Sequence, residues 1–222
     1  MEETLEAFDD LVASGKIRYV GFTNLEAWRV AKAVLTSDAE GWARFVAGQY
    51  QYSLVERSIE HEFVPLFLAE GIGLTCWDPL GGGFLSGKYR RDQRAAVAAP
   101  GRIADATEEY EEAWERRNTE RNWRVIEAVG EIAERHGASY PQVALAWLTG
   151  RPAVSSVILG ARTGEQLEDN LAATGVDLTP EEFTALDRAS TPDEPYPYRM
   201  IRRYGVRGYA PPRASRPEGG GR

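Results

Sequence analysis

The sequence has few cysteines and no long apolar run. Cys76 is the single cysteine among 222 residues, which excludes an internal disulfide and a zinc site built from cysteines and is typical of the reducing cytoplasm. No apolar run approaches the ~20 residues that a helix needs to span a bilayer. The first ten residues, MEETLEAFDD, are acidic and amphipathic, unlike a secretory signal or a transit peptide. We therefore expect a cytoplasmic protein.

Positive charge is also scarce. The chain carries 26 lysines and arginines against 34 aspartates and glutamates, a formal net charge of -8. Nucleic acids and acidic membranes bind to basic surfaces through their phosphate groups, so we expect neither as a partner. The only basic concentration is terminal, in the Pro- and Gly-rich residues 201–222, which we expect to be disordered. Residues 1–200 are expected to form one domain.

Apolar strands alternate with helical segments along this domain. Strands are predicted at 16–22, 44–53, 71–77 and 153–160. Helices are predicted before Gly15, from Leu25 with the apolar residues Trp28, Val34 and Leu35, over 57–70, 109–136 and 140–149, and from Thr163 and Thr179, with a loop at 90–108. Capping-box spacings mark three helix starts, in the pairs Ser139 with Gln142, Thr163 with Gln166 and Thr179 with Glu182. This alternation is typical of βα units with a parallel sheet.

Two architectures fit a parallel sheet of this kind. An open doubly wound sheet would carry a glycine-rich fingerprint after its first strand, but IRYVGFTNLEAW has none. A barrel places its site at the carboxyl ends of its strands. Those ends carry polar and aromatic residues here, namely Thr23, Asn24, Gln49, Tyr52, Trp77, Asp78, Gly160 and Arg162. Any one could be a loop residue, and Thr23 and Asn24 could cap a helix that begins at Leu25, but together they favour a barrel site.

The glycine-rich stretch GGFLSGKY, residues 82–89, raises a separate question. It nearly satisfies the phosphate-loop pattern, but Tyr89 stands where a small hydroxyl would bind magnesium, which argues against a nucleoside triphosphatase. Such a loop could still donate backbone N–H groups to a diphosphate without a metal, and Trp77 could stack on a flat ring. Alternatively, the glycines form a simple turn and Trp77 is a rim or core aromatic. Both interpretations remain open on this segment alone.

Four stretches resemble motifs of the aldo-keto reductase family. They are GKIRYVGFTN, QYQYSLVERSIE, DPLGGGFLSGKY and VILGARTGEQLEDNLAA, in the order in which the family carries them. The resemblance implies a (β/α)8 TIM barrel that uses NADPH to reduce carbonyl compounds. Residues 2 to 200 look like its C-terminal portion, so the expected fold is a partial barrel with four parallel strands, barrel strands 5 to 8, and outer helices. Such a truncated barrel is expected to have two unpaired strand edges and an uncovered apolar interior face.

The resemblance also implies a set of NADPH-binding residues. Thr23, Asn24 and Gln49 match the residues that hold the nicotinamide carboxamide, and Trp77 matches the aromatic residue that stacks on the nicotinamide. Asp78, Leu80, Gly81, Gly82 and Gly83 match the diphosphate loop, and Gly160, Arg162, Gln166 and Asn170 match the residues that grip the adenosine and its 2′-phosphate. Gln166 and Asn170 share a helix face, although Gln166 is also the fourth residue of a capping box.

The chain departs from the family at the catalytic residues. The family's Asp, Tyr, Lys and His lie on the first four strands, and this chain begins after them, so no catalytic residue is predicted. His61 and His136 are interpreted as solvated helix residues, and no lysine accompanies Tyr52 or Asp78 to tune a proton donor.

Three functions therefore stay open. In the first, the chain is the cofactor-binding part of an aldo-keto reductase whose substrate is a small carbonyl compound. In the second, it is a non-catalytic NADPH-binding regulatory subunit. In the third, it is a half-barrel interaction module that self-associates through its exposed strand edges.

Overall fold

The computed structural model describes residues 1–92, residue 103 and residues 114–204. Its four strands are β1 (Val20–Thr23), β2 (Phe45–Gln51), β3 (Gly73–Trp77) and β4 (Val154–Val157). They form one sheet in the order β1-β2-β3-β4, and each neighbouring pair is parallel. The predicted parallel sheet is confirmed, although every strand is shorter than its apolar run.

Nine α-helices have defined bounds in the described part of the chain. They are α1 (Glu2–Ala13), α2 (Ala27–Glu40), α3 (Phe63–Glu70), α4 (Trp114–Arg117), α5 (Glu120–His136), α6 (Tyr140–Thr149), α7 (Gly164–Leu171), α8 (Pro180–Ser190) and α9 (Tyr198–Tyr204). None of the described helices combines the length and apolarity needed to cross a membrane. Four parallel strands alternating with helices confirm the fold class as a partial (β/α)8 barrel.

The helix starts follow local capping chemistry. Ser139 and Thr179 form complete capping boxes, as predicted. Thr163 accepts a hydrogen bond from the Gln166 backbone N–H, but the Gln166 side chain accepts from the Arg162 backbone N–H instead of closing the box. That predicted box is therefore only half formed.

Three helix predictions were wrong in their bounds. The helix expected from Leu25 begins at Ala27 with Glu26 as its N-cap, so Thr23 and Asn24 do not cap it. The helix expected over 57–70 starts only at Phe63, because a separate 3-10 turn occupies Ser58–Glu60. The helix expected over 109–136 is interrupted between Arg117 and Glu120, and its residues 109–113 lie outside the described residues.

Two predicted irregular regions fall largely outside the described residues. These are residues 93–102 and 104–108 of the predicted loop, and residues 205–222 of the predicted disordered tail.

Helix α2 buries a different face from the one expected. Its buried residues are Val30, Ala33, Val34 and Ser37, spaced as one face of a helix. Trp28 and Leu35 are 62% and 68% exposed, so the expected apolar stripe was wrong for these two. The sheet contacts only one side of the helix, and the two exposed residues lie on the other.

The hydrophobic core lies against the outer face of the sheet, between the strands and the helices. Phe22, Tyr50 and Phe67 form an aromatic cluster in which the rings of Phe22 and Phe67 are 5.7 Å apart and edge-on. Phe67 is fully buried, which stabilises the fold by roughly 1.5–3 kcal/mol. A Cβ on Gly48 would lie 2.5 Å from the Phe67 ring. Only glycine therefore lets α3 pack this close to β2.

The inner face of the sheet carries small and polar residues. Gly21, Ala47 and Gly73 share one register row, and Thr23, Gln49, Thr75 and Ser156 share another. All of these residues are half-buried or exposed. The expectation of an uncovered apolar face was therefore wrong, because the positions that alternate with the core residues are occupied by small and hydrogen-bonding side chains. In the described part of the chain, β1 and β4 each pair with one neighbour, which leaves the two expected open edges.

Candidate cofactor-binding site

The carboxyl ends of β1 and β2 bring three predicted site residues together. Thr23 and Gln49 are register partners, and the Thr23 hydroxyl donates a hydrogen bond to the Gln49 carbonyl oxygen at 2.9 Å. Asn24 follows with φ of 51°, a left-handed conformation that asparagine tolerates better than most residues. The Thr23, Asn24 and Gln49 side chains are exposed. This edge therefore offers hydroxyl and amide groups that can bind a carboxamide.

Trp77 ends β3 beside Gln51, its register partner on β2. It is half-buried and lies outside the cluster of fully buried core residues. Among the described residues it pairs with no other aromatic ring. The structure therefore places Trp77 at the rim of the site, where an indole can stack on a planar ligand.

Asp78 follows Trp77 and makes structural contacts. Its side chain accepts hydrogen bonds from the Gly82 backbone N–H, from Gln51 Nε2 at 2.8 Å and from Arg117 Nη2 at 3.1 Å. The residue is 8% exposed. A carboxylate held in this way stabilises the loop that follows it, and its contact with a diphosphate stays a prediction.

The glycine loop, residues 80–87, directs its N–H groups inward. Gly81, Gly82 and Gly83 have φ of 60°, 67° and 89°. The Gly81 N–H donates to the Asp78 carbonyl at 3.1 Å, the Gly82 N–H to the Asp78 carboxylate, and the Gly83 N–H to the Leu80 carbonyl at 3.1 Å. In this conformation the three N–H groups are bonded to residues of the same segment, and their donation to a diphosphate stays a prediction.

Gly81 also requires glycine for a steric reason. A Cβ at this position would lie 2.5 Å from Val55 Cγ2, in addition to the strain of its positive φ. The loop therefore packs directly on the segment that follows β2.

Lys88 lies next to this loop, and the charge of Arg162 acts on it. Burial and the charge of Arg162 lower the pKa of Lys88. The Lys88 Nζ would lie 3.5 Å from a Cβ on Gly83. Two neighbouring cations repel each other and gain from a bound anion. Sequence reasoning missed Lys88, although the signal was present, because a lysine directly follows Gly87 in the rejected phosphate-loop pattern.

The remaining predicted residues lie at the start of α7. Arg162 is exposed, and its backbone N–H donates to Gln166 Oε1 at 2.9 Å. A Cβ on Gly160 would meet no atom within 4 Å, so this segment is open. Asn170 is only 6% exposed. The structure thus presents Arg162 to a ligand more directly than it presents Asn170.

Each histidine makes a tertiary contact. His136 Nε2 is 2.9 Å from a Glu182 carboxylate oxygen, which joins the end of α5 to the start of α8. His61 lies outside the helices and stacks on Tyr198, with ring centroids 4.5 Å apart. The interpretation as a solvated helix residue is confirmed for His136, which is exposed at the end of α5, and was wrong for His61, which is half-buried outside the helices.

Tyr52 belongs to a buried ionic network. Its hydroxyl donates to Glu60 Oε1 at 2.5 Å and accepts from Arg151 Nε at 2.9 Å. Burial raises the pKa of Tyr52 well above its usual range. A tyrosine in this state is a poor proton donor, so Tyr52 is not suited to act as a catalytic acid.

Four parallel βα units with polar groups at their strand ends define part of a (β/α)8 barrel. The sequence model of the Aldo/keto reductase family matches residues 1–191, and the chain belongs to this family. It is 32% identical over 180 residues to the uncharacterized oxidoreductase YrpG of Bacillus subtilis, covering 81% of this chain and 51% of that protein. These similarities support an oxidoreductase function.

Two further relatives widen the comparison. The chain is 31% identical over 185 residues to Protein tas of Escherichia coli, covering 83% of this chain and 51% of that protein. It is 32% identical over 204 residues to a probable voltage-gated potassium channel subunit beta of Arabidopsis thaliana, covering 90% of this chain and 61% of that protein. The chain thus spans about half the length of the curated relatives it matches.

The family implies a nicotinamide cofactor, and the site fits one at both ends. The exposed hydroxyl and amides of Thr23, Asn24 and Gln49 suit a carboxamide, and Trp77 suits a planar ring. Lys88 and Arg162 suit phosphate groups. A polar end, an aromatic platform and a cationic end on one edge match a dinucleotide.

Proposed function

We propose that this chain is the cofactor-binding part of an NADPH-dependent aldo-keto reductase that acts on aldehydes or ketones. The observation that carries the proposal is the shared register row of Thr23 and Gln49 beside Trp77 at the carboxyl ends of the strands. Bound NADPH supplies a hydride to the carbonyl carbon. The residues of this chain hold the carboxamide and cover one face of the nicotinamide.

The preference for NADPH over NADH is proposed from the cationic end. Arg162 offers a forked cation to a phosphate, and Lys88 adds a second positive charge. NADH lacks the 2′-phosphate that these groups would bind.

Proton donation is proposed to come from residues that this chain does not contain. Tyr52 is buried, its hydroxyl is bound to Glu60 and Arg151, and its pKa is raised. Both carboxylate oxygens of Asp78 accept hydrogen bonds. A developing alkoxide needs a tuned acid, so we propose that the chain alone binds cofactor without turnover.

The binding test uses tryptophan emission. NADPH should quench part of the emission of the folded chain, because Trp77 stacks on the nicotinamide. Trp77→Ala should lose that part, whereas Trp28→Ala, which removes an exposed tryptophan on α2, should keep it. A flat titration of folded wild-type protein, or equal quenching in Trp77→Ala, would contradict the stacking assignment.

One relative favours a second candidate function. The similarity to a probable potassium channel subunit beta supports a non-catalytic NADPH-binding regulatory subunit. This alternative predicts that NADPH stays tightly bound without turnover even when the complementary barrel half is supplied.

Self-association is proposed from the open edges of β1 and β4. Unpaired parallel edges carry free backbone donors and acceptors that another half-barrel can pair with.

A cytoplasmic location is proposed from the single, buried and unpaired Cys76.

A further inference from the structure

Asp78 and Arg117 form a buried ion pair behind the glycine loop. Arg117 Nη2 lies 3.1 Å from Asp78 Oδ2, and each side chain is only 3% exposed. Removing water from two charges costs free energy that good geometry must recover. The pair therefore holds its two partners at a defined separation.

Asp78 binds the loop through both its side chain and its main chain. Its Oδ1 accepts the Gly82 N–H, and its carbonyl oxygen accepts the Gly81 N–H at 3.1 Å. Asp78 itself has φ of 52°. These bonds hold the consecutive left-handed residues in one conformation.

Arg117 supports the same loop from the helical side. Its Nε lies 3.8 Å from the position of a Cβ on Gly81, and its carbonyl oxygen accepts from Asn122 Nδ2 at 2.9 Å. Asn122 is fully buried on α5. Gln51 on β2 completes the support by donating to Asp78 at 2.8 Å. The loop is thus tied to both the sheet and the α4–α5 junction.

We propose that Asp78 and Arg117 are positioning residues, which set the conformation of the glycine loop and so place Lys88 for the cofactor's phosphates. Asp78 itself does not bind the diphosphate. This inference rests on the proposed function, which supplies the ligand.

The direction in which Asp78→Asn changes NADPH affinity separates a positioning role from a direct electrostatic effect on the ligand. A carboxylate close to a diphosphate repels it, so Asp78→Asn would strengthen NADPH binding if charge alone mattered. If Asp78 acts through the loop, Asp78→Asn weakens binding, because the ion pair with Arg117 is lost.

The experiment measures NADPH affinity for four variants of the full chain. Asp78→Asn and Arg117→Met should each weaken binding about 5-fold to 150-fold, the usual range for coupling between sites. The double variant should be weakened no more than the worse single variant, because both changes break the same interaction. Arg44→Met is the control: this arginine pairs with Glu70 at 2.8 Å just before β2, at the opposite end of the strand, and we expect its loss to leave binding unchanged. Unchanged or tighter binding by Asp78→Asn would overturn the proposal.

A second measurement needs no cofactor. Hydrogen exchange at the backbone amides of residues 81–86 should be faster in Asp78→Asn and Arg117→Met than in wild type, with amides of α5 as the internal reference. If the wild type binds no NADPH, the proposed function fails, but this measurement still tests the loop. Unchanged exchange in a folded variant would overturn the positioning role. If Arg117→Met does not fold, Asp78→Asn and the charge-neutral double variant decide the result.

Discussion

At the scale of single residues, the proposed recognition of the cofactor's phosphates depends on two cations that are far apart in sequence. Lys88 follows the glycine loop, and Arg162 precedes α7, yet the charge of Arg162 contributes to the lowered pKa of Lys88. Two cations whose charges act on each other favour the binding of a group with several negative charges. A 2′-phosphate or a diphosphate has that property, and a neutral sugar hydroxyl does not.

Arg162→Ala should therefore weaken NADPH binding by roughly 1.5–3 kcal/mol, the range for hydrogen bonds to charged groups, and leave NADH binding almost unchanged. Titration of each variant with both cofactors measures the difference. Arg188→Ala, which removes an exposed arginine on α8, is the control. Equal losses for both cofactors would show that Arg162 has a structural role.

At the scale of elements, an ionic network attaches α8 to the loop after β2. Arg57 and Arg151 both contact Asp187 on α8 and both bind Glu60. The two guanidinium groups also lie 5.2 and 5.0 Å from the Trp147 ring. Burial by itself would raise the pKa of Glu60, but the hydrogen bond from Arg57 and the charges of both arginines outweigh it and lower the pKa.

Glu60→Gln should lower the free energy of unfolding at neutral pH by roughly 1.5–3 kcal/mol. Because the pKa of Glu60 is lowered in the folded state, its stabilisation is present above the unfolded value of 4.5 and is lost as the pH falls through the folded value. The difference between wild type and variant should therefore shrink in acid. Urea unfolding at neutral and acidic pH measures it, with the exposed Glu131→Gln as control. A constant difference across pH would contradict this role.

At the scale of the whole molecule, the described residues leave the sheet open at both edges and on its inner face. The inner face carries hydrogen-bonding residues such as Thr23 and Gln49, so water can cover it at less cost than an apolar face. The backbone N–H and C=O groups at the edges of β1 and β4 are the ones that most require hydrogen-bond partners.

Self-association through these edges should be visible by sedimentation. We expect dimers or larger species at about tens of micromolar and a rising share of monomer on dilution, because edge pairing between chains depends on concentration. A monodisperse monomer with cooperative melting would count against an open half-barrel.

Turnover also belongs to the whole molecule. General acid catalysis is typically worth about 10²–10⁴-fold, and this chain holds no group suited to it in the described site. We expect no NADPH-dependent reduction of reactive aldehydes by the purified chain, and restored activity when the complementary four-strand segment of a related reductase is supplied. Turnover by the chain alone that is lost in Tyr52→Phe would overturn this expectation.

Some features of the fold and the site were determined by the sequence alone. The alternation of apolar runs with helical segments was sufficient for the parallel βα architecture, since periodicity reports which faces are buried. The capping boxes at Ser139 and Thr179 formed as expected, because these bonds join residues only three apart. The placement of Thr23, Gln49 and Trp77 at strand ends also followed from the order of elements.

Only the tertiary structure decided which partners distant residues take. Asp78 is bound to Arg117, His136 is bound to Glu182, and the charge of Arg162 acts on Lys88. The members of each pair are separated by many residues in the chain. The sequence is consistent with Asn24 as a helix cap, but in the structure α2 starts at Ala27 and its N-cap is Glu26. Local patterns describe hydrogen bonds and faces within one element, whereas the burial and partners of a charged side chain depend on which elements pack against it.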